Sequence, residues 1–587
     1  MTRRLTVLSL FLLISFMGSA QQTPSQAGPT GVFRADITNT VGTPLPSKIV
    51  LEPKENVGQT VTIPAPKGTA EAKVPPGKYR AFVSVYDWDL PIVVAVKEIE
   101  IKPNDQEYMI ENVPEASSTK RKLRDFDLDH DLVLDRVEEE IGTDAKDPAS
   151  YPGAVPIPFE DVVLSDKPGW YRGDLHVRSK HGGGQESVGD LIKRAEKAGL
   201  DFIAITDRDT VEACKDPAIR SSKKVVVIPA MEWGDDKNGV ALIYGPRTIP
   251  ELTEDRIDAQ GVVYRVQGQG GVFAIGHPCF PTSPWQRGLS YVNAIEVWCR
   301  SWSDVPPLAL ENLAKELTFR DKNGKLVYAL ALAASTARLS ANGQAEMFWD
   351  IEMNRGLKAA PIGGSLSSSP KVPMGQPVTY VYAEKKSVAG ILDGLRRGRT
   401  YVTRSPDGPK VTFQADVLAN GTIDVNISGI IPVGADTQFY VNVLGAKNKK
   451  VELLENGRPA VTKVIESDNF LMRTVRRPNG RSVYRVRVTD APAKRGPDAF
   501  TDLEVLALTG AIYAEEILFL KEGTDPLDLW VRIQNKTLPP LYIDPSQRSP
   551  DGRPIVHVDK NAPSPYEGQF TPPPGEPVKT IQPQWQY

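Results

Sequence analysis

The sequence predicts a multi-domain chain in which a central parallel α/β layer is flanked by N- and C-terminal β-sandwich modules. Three observations predict it. The 587 residues are too many for one compact core. From about Trp170 to Thr403, short apolar runs without clean alternation are separated by helical stretches, as expected of strands buried on both faces. On either side, runs of alternating and β-branched residues are divided by Gly, Pro and Asn turns.

The first element is a leader. Arg3 and Arg4 precede an apolar run from Leu5 to Phe16, and Met17-Gly-Ser-Ala20 follows, the charged, apolar and small-residue order of a secretory signal over residues 1–20. The run is too short to span a bilayer and no second run of spanning length follows, so a secreted or periplasmic protein with no membrane span is expected. A formal net charge of −3 gives no basis for nucleic-acid binding. Of the three cysteines, Cys279 and Cys299 are the pair most suited to a disulfide in an exported chain, with Cys214 left over.

Residues 30–115 read as short strands, among them "GVFRADIT", "SKIVLEP" and "KYRAFVSVYDW". The pieces "TPLPSKIVLEP" and "KVPPGKYRAFVSV" resemble carboxypeptidase-regulatory-like β-sandwiches, which implies a structural or adhesive module. Residues 120–150 form an acidic linker. Counting from Asp127, oxygen donors fall at Asp127, Asp129, Asp131, Asp135 and Glu138, positions one, three, five, nine and twelve of a calcium loop. With the "GTD" at Gly142 to Asp144, the segment resembles thrombospondin-type-3 or dockerin-like loops, which implies a structural Ca²⁺. Leu132 stands where Gly ordinarily allows the sharp turn. The alternative is a solvated acidic linker ahead of a helix.

The central stretch, 165–409, carries "GDLHV", "DFIAIT", "KVVVIPA", "GVFAIG" and "NAIEVW" as strands. Its clearest helix is "SVGDLIKRAEKAG": Ser187 and Asp190 form a capping pair, Val188, Leu191, Ile192 and Ala195 share one face, and Gly199 closes the end. Chemistry in such a layer belongs at the C-terminal ends of the strands. Residues 410–525 return to strands and read as a second β-sandwich. The tail at 538–587 is rich in Pro and reads as an extended or loosely attached segment.

The central motifs, in order, resemble the polymerase-and-histidinol-phosphatase (PHP) superfamily and its carbaryl-hydrolase-like branch. "GDLHV", "AEKAGLDFIAITDRDT", "VIPAMEW", "AIGHPCF", "NAIEVW", "PIGGSLSSSP" and "GQPVTYVYAEKKSVAGILDGLRRGRTYVTRSPDGP" carry the resemblance over roughly Gly173 to Pro409. It implies a distorted (β/α)7-type barrel with a metal cluster at its mouth in active members. Residue by residue, the ligand set is depleted. His176 stands, but Arg178 replaces the second His of His-x-His; Arg208 replaces the His after Thr206-Asp207; and "GGSLSS" at 363–368 lacks an Asp and a His. His176, Glu232 and His277 remain, and His181 is of uncertain register. The whole chain holds five histidines, too few for a site rich in imidazole.

One Arg about 5 Å from a dication costs about 6 kcal/mol at an effective dielectric near 20, so two Arg residues in the ligand places oppose a multinuclear site. Arg178 and Arg208 can supply the missing positive charge instead, pairing with Asp207, Glu232 or Asp174, or can bind an anion bidentately.

Three readings follow. The first is an exported binding or scaffold protein with a dismantled metal site, whose partner is an anionic small molecule or a cell-envelope component. The second is a phosphoester, amide or carbamate hydrolase using one Zn²⁺ or Mn²⁺ at His176, Glu232 and His277, with Arg178, Arg208 and Asp207 in catalytic roles. The third is an adhesive or cell-envelope structural protein. "HGGG" at His181 to Gly184 lacks a matching nucleophile elbow and reads as a flexible loop over the mouth.

Overall fold

A computed structural model describes residues 30–54, 59–87, 90–118, 121–300, 339–417, 421, 423–490 and 504–515, with short strands at 319–320, 326–327, 541–548 and 554–558. The leader expected at 1–20 lies outside the described residues, as does the tail apart from one antiparallel hairpin, Leu541–Arg548 with Pro554–Val558. The chain divides into two compact units, Met1–Val85 with Val94–Thr119, and Tyr86–Val93 with Lys120–Tyr587. Among the described residues no helix is long and apolar enough to cross a membrane.

The first unit is built on β1 (Gly31–Asn39), β2 (Ser47–Pro53), β3 (Val61–Ala65), β4 (Thr69–Val74), β5 (Gly77–Asp87), β6 (Leu90–Ile101) and β7 (Gln106–Val113). They form two sheets, ordered β4-β1-β7 and β3-β2-β5-β6. Alternation sets their faces: Phe33, Ala35 and Ile37 on β1, and Ile49 and Leu51 on β2, are buried at period two.

The second unit opens with the acidic loop and helix α1 (Asp135–Ile141), and a short strand β8 (Val163–Ser165) follows. Seven strands then make the central layer: β9 (Gly169–Val177), β10 (Phe202–Ile205), β11 (Val226–Asp235), β12 (Gly239–Tyr244), β13 (Val272–Ile275), β14 (Ala294–Cys299) and, after the short β15 (Phe319–Arg320) and β16 (Leu326–Val327), β17 (Ala360–Gly364). Neighbours pair in that order, β9-β10-β11-β12-β13-β14-β17. All run parallel except β12, which pairs antiparallel with β11 and β13. The strict strand–helix alternation read from the sequence therefore gives way to a hairpin, turning at Gly234 and Gly239, both with positive φ.

β10, β12, β13, β14 and β17 are buried at every position, which is why their sequences run apolar without alternation. One face packs Leu175, Phe202, Ala204, Ile228, Leu242, Ala274 and Ile362 together. The other takes four of the helices. α2 (Val188–Lys197) sets Val188, Leu191, Ile192 and Ala195 in a cluster with Ile203, Ile205 and Val227, and the short α3 (Ala218–Ser221) adds Ile219. α4 (Arg256–Gly268) and α5 (Ala341–Arg355) bring Val262, Val266, Phe348 and Trp349 to Phe273 and Ile275. A bridge from Val177 to Ser367 joins the end of β9 to the residues after β17, and among the described residues no continuous ladder closes a barrel.

On its other side β9 pairs antiparallel with β18 (Val378–Ala383). The short β19 (Lys386–Ser387) and α6 (Val388–Arg396) follow, and then β20 (Thr400–Thr403), which pairs with β18. The sheet does not stop at residue 410. β20 pairs with Val505–Thr509, and the ladder continues through Ser482–Thr489 and Lys450–Glu455 to Arg458–Val464. A separate four-stranded sheet, Val425–Asn426, Lys410–Asp416, Thr437–Leu444 and Asn469–Arg476, shares one core with it, including Phe413, Phe439, Val441, Leu453, Tyr484 and Val486.

Candidate functional site

The strand ends bring the candidate residues to one place. Asp174 on β9 organises it: buried, it accepts hydrogen bonds from Ser365 N (2.9 Å), Ser365 Oγ (2.5 Å), Gly375 N (2.7 Å) and His176 N (3.2 Å). That ties the loop after β17 to the end of β9. The approach is so close that a Cβ on Gly364 would lie 2.3 Å from the His176 Cβ, so only glycine fits there.

His176 is fully buried between two carboxylates. Its Nδ1 meets Glu296 Oε1 at 2.9 Å and its Nε2 meets Glu232 Oε2 at 2.9 Å. Burial alone pulls its pKa down, but Glu296 and Glu232 outweigh it and the value rises to about 9. At neutral pH the ring is an imidazolium donating from both nitrogens. Glu232 also takes Arg178 Nη2 on both oxygens, at 2.7 and 2.5 Å. Burial raises the Glu232 pKa, but His176 and Arg178 hold it well below the usual carboxylate range. The second oxygen of Glu296 accepts the backbone N–H of His277 at 2.9 Å. The His277 ring stacks on His176 with centroids 5.9 Å apart, and burial lowers its pKa, keeping it neutral.

Two cations thus face two carboxylates. This arrangement does not fit a multinuclear metal cluster, because a metal needs an imidazole lone pair and a free carboxylate. Here both His176 nitrogens are engaged and a guanidinium covers Glu232. Ligand atoms of His176, Glu296 and Cys299 also lie within 4.8 Å of one another, all buried, a nitrogen, oxygen and sulfur that could hold a single ion only once His176 gave up a proton and its bond to Glu296 or Glu232.

The other expected residues sit apart. Asp207 pairs with neither Arg: Ser179 N (2.6 Å) and Oγ (2.5 Å) hold its carboxylate, because the turn after β9 packs directly on it. Arg208 turns outward to Asp236 (2.7 Å) and Asp209 (3.6 Å). His181 is exposed, with its backbone N–H on Ser179 Oγ. The glycine run beside it is no loose flap: a Cβ on Gly182 would lie 2.3 Å from the Asp207 Cβ. The Cys279–Cys299 disulfide does not form; all three cysteines are buried outside any disulfide. Burial pushes the Cys214 thiol up to about 12.

Glu296 is the residue the motif reading passed over. Its signal is a lone carboxylate inside the apolar run "NAIEVW", which is unfavourable unless a cation awaits it. Cys299, three residues on, gave no such signal.

The acidic loop is a second cluster. Asp127, Asp129, Asp131 and Glu138 are all buried, and oxygens of the first three lie within 4.8 Å of one another. Burial and mutual repulsion push Asp129 up to about 6, Glu138 to about 7 and Asp131 to about 9. Asp135 opens α1 beside them, its Oδ1 accepting Leu128 N at 2.7 Å.

No protein-family model matches the chain, and no curated protein matches it. Some solved structures are similar at a low level. One is a two-domain protein from Bacteroides vulgatus containing a predicted PHP-like metal-dependent phosphoesterase: 14% identical, covering 62% of this chain and 99% of that one, TM-score 0.31. Another, from Bifidobacterium adolescentis, is described as a metal-dependent phosphoesterase: 12% identical, 35% and 90% covered, TM-score 0.22. A third is an amidohydrolase from Chromobacterium violaceum with bound sulfate and no metal: 12% identical, 34% and 89% covered, TM-score 0.21. At these values the likenesses carry no argument about chemistry, which rests on the geometry.

Proposed function

We propose that this is an exported protein with a PHP-type barrel of the carbaryl-hydrolase-like branch, in which side-chain cations stand where metals would. It binds or scaffolds and does not carry out multinuclear hydrolysis. The observation that carries this reading is the doubly bonded His176: Glu232 and Glu296 hold its two nitrogens while Arg178 covers Glu232. Positive charge is supplied without an ion, so the buried carboxylates are compensated. Arg178 keeps a buried Nε with no hydrogen-bond partner among the described residues, a donor suited to an anionic ligand or cell-envelope component.

A second reading has its own observation. His176, Glu296 and Cys299 are spaced for one ion such as Zn²⁺ or Mn²⁺, which would make the protein a phosphoester, amide or carbamate hydrolase. Bound there, the ion would lower the pKa of a water. Arg178, at the rim of the cluster, would stabilise negative charge developing on the substrate. The residues of this reading differ from the His176, Glu232 and His277 set that the motifs suggest: Arg178 covers both oxygens of Glu232, whereas Glu296 carries no guanidinium, and the ion would displace the proton His176 shares with it.

Elemental analysis of purified protein separates the two, run beside Glu296→Gln and His277→Ala. We expect no stoichiometric transition metal in any sample. Near one equivalent of zinc, manganese or iron in the parent, lost in Glu296→Gln, would overturn the first reading in favour of the second.

A further inference from the structure

The acidic loop from Asp127 to Glu138 buries four carboxyl groups within twelve residues. Asp127, Asp129, Asp131 and Glu138 are 1%, 7%, 0% and 0% exposed. Each spends part of its carboxylate on the loop itself. Asp127 accepts from His130 N (2.8 Å) and Leu132 N (3.0 Å), Asp129 Oδ1 from Asp131 N (3.3 Å), Asp131 Oδ1 from Val133 N (2.8 Å), and Glu138 Oε1 from Thr143 Oγ1 (3.1 Å). The remaining oxygens, Asp129 Oδ2, Asp131 Oδ2 and Glu138 Oε2, are buried without a hydrogen-bond partner among the described residues.

An orphaned buried acceptor costs on the order of 1–3 kcal/mol, more when charged, and three in one loop call for a partner. No Lys or Arg among the described residues forms an ion pair with any of the four carboxylates. Arg265 comes near but gives its Nε to the Asp131 backbone oxygen at 2.9 Å.

The backbone supplies the geometry that a ligand loop needs. Leu132, at the sixth position, takes φ +74°, and His130 takes φ +66°, so the sharp turn forms without glycine. The strain is held by packing: Leu132 is 1% exposed, and its Cδ1 lies 3.0 Å from where a Gly261 Cβ would be. The donor set is all oxygen, which selects a hard cation over zinc or copper, and its spacing is that of a calcium loop.

We infer that Asp127, Asp129, Asp131 and Glu138, with Asp135 and the Val133 carbonyl at the remaining loop positions, bind one Ca²⁺ that fixes this segment against α4. Besides Arg265, α4 meets the loop at Tyr264, whose hydroxyl lies 2.6 Å from His130 Nδ1. The ion therefore orders a segment on which the helix packs, independently of the strand-end cluster.

The test uses full-length mature protein stripped with EGTA and titrated calorimetrically with CaCl₂, beside Asp129→Asn and Glu138→Gln. We expect one equivalent of Ca²⁺, a melting temperature raised by at least about 2 °C at saturation, and loss of both effects in the variants. Should the variants fail to fold, terbium(III) luminescence of the parent decides: emission that Ca²⁺ quenches supports the site. No heat and no Ca²⁺-sensitive terbium emission in folded parent would overturn it. An equal melting shift with Mg²⁺ would overturn the assignment to calcium.

Discussion

At the scale of single residues, His176 and Glu232 decide how the candidate site responds to pH. His176 titrates near 9 in the fold against an ordinary 6.5. Between these values the folded chain binds more protons than the unfolded one, so its contribution falls as pH rises through that window. Glu232 works in the opposite direction: its folded pKa lies below its ordinary value of 4.5, so its contribution is present above that value and lost as pH falls. Both express one buried ion pair. Urea midpoints of the parent should therefore decline from about pH 6.5 to 9. Glu232→Gln should cost about 3 kcal/mol near neutrality and weaken that decline, because it leaves Arg178 without its carboxylate and His176 with Glu296 alone. Midpoints that hold steady to pH 9 in the parent would contradict the imidazolium assignment.

At the scale of elements, α2 shows how much local chemistry carries. Ser187 Oγ accepts Asp190 N at 3.2 Å and donates to Asp190 Oδ2 at 2.7 Å, close to the capping pair its sequence announces. The apolar face then packs as the 3.6-residue period requires. Ser187→Ala should lower stability by about 1 kcal/mol, read by chemical denaturation, with no effect on any metal or ligand readout. A change in metal content in that variant would show that α2 does more than hold the layer together. The acidic loop differs. Its donor spacing is plain in sequence, yet Leu132 argued against the turn. What sequence could not show is that burial of the Leu132 side chain against α4 offsets its left-handed backbone.

At the scale of the whole molecule, the continuous sheet matters most. The boundary read at residue 410 marks a change of pattern, but β20 passes its ladder directly to Val505–Thr509. Arg485, 1% exposed, strengthens that junction by reaching α5. Its Nε and Nη2 bond Asp350 at 2.6 Å each, Nη2 also meets Glu346 at 2.9 Å, and the guanidinium lies 5.1 Å from the Trp349 ring. Arg485→Met leaves Asp350 buried without its cation and Glu346 with only Arg487 at 3.6 Å, and should cost about 3–5 kcal/mol, on the order of other broken buried pairs. Scanning calorimetry should show residues 121–515 melting as one transition, shifted down in the variant. Two separated transitions within that region would show that the C-terminal strands fold independently despite the shared sheet.

The sequence by itself determined the strands buried on both faces, the helix cap at Ser187 and the oxygen spacing of the acidic loop. Each of these is written in neighbouring residues, where periodicity and local hydrogen bonding operate. It also showed, through Arg178 and Arg208, that an ordinary metal cluster was opposed. Only the tertiary structure decided where those charges go. It sent Arg178 to Glu232 and Arg208 outward to Asp236, closed Asp207 onto Ser179, and brought Glu296 to His176 across 120 residues of chain. The physical reason is that ion-pair partners are chosen by distance in space. That distance is set by the order and curvature of the strands, which no local pattern encodes.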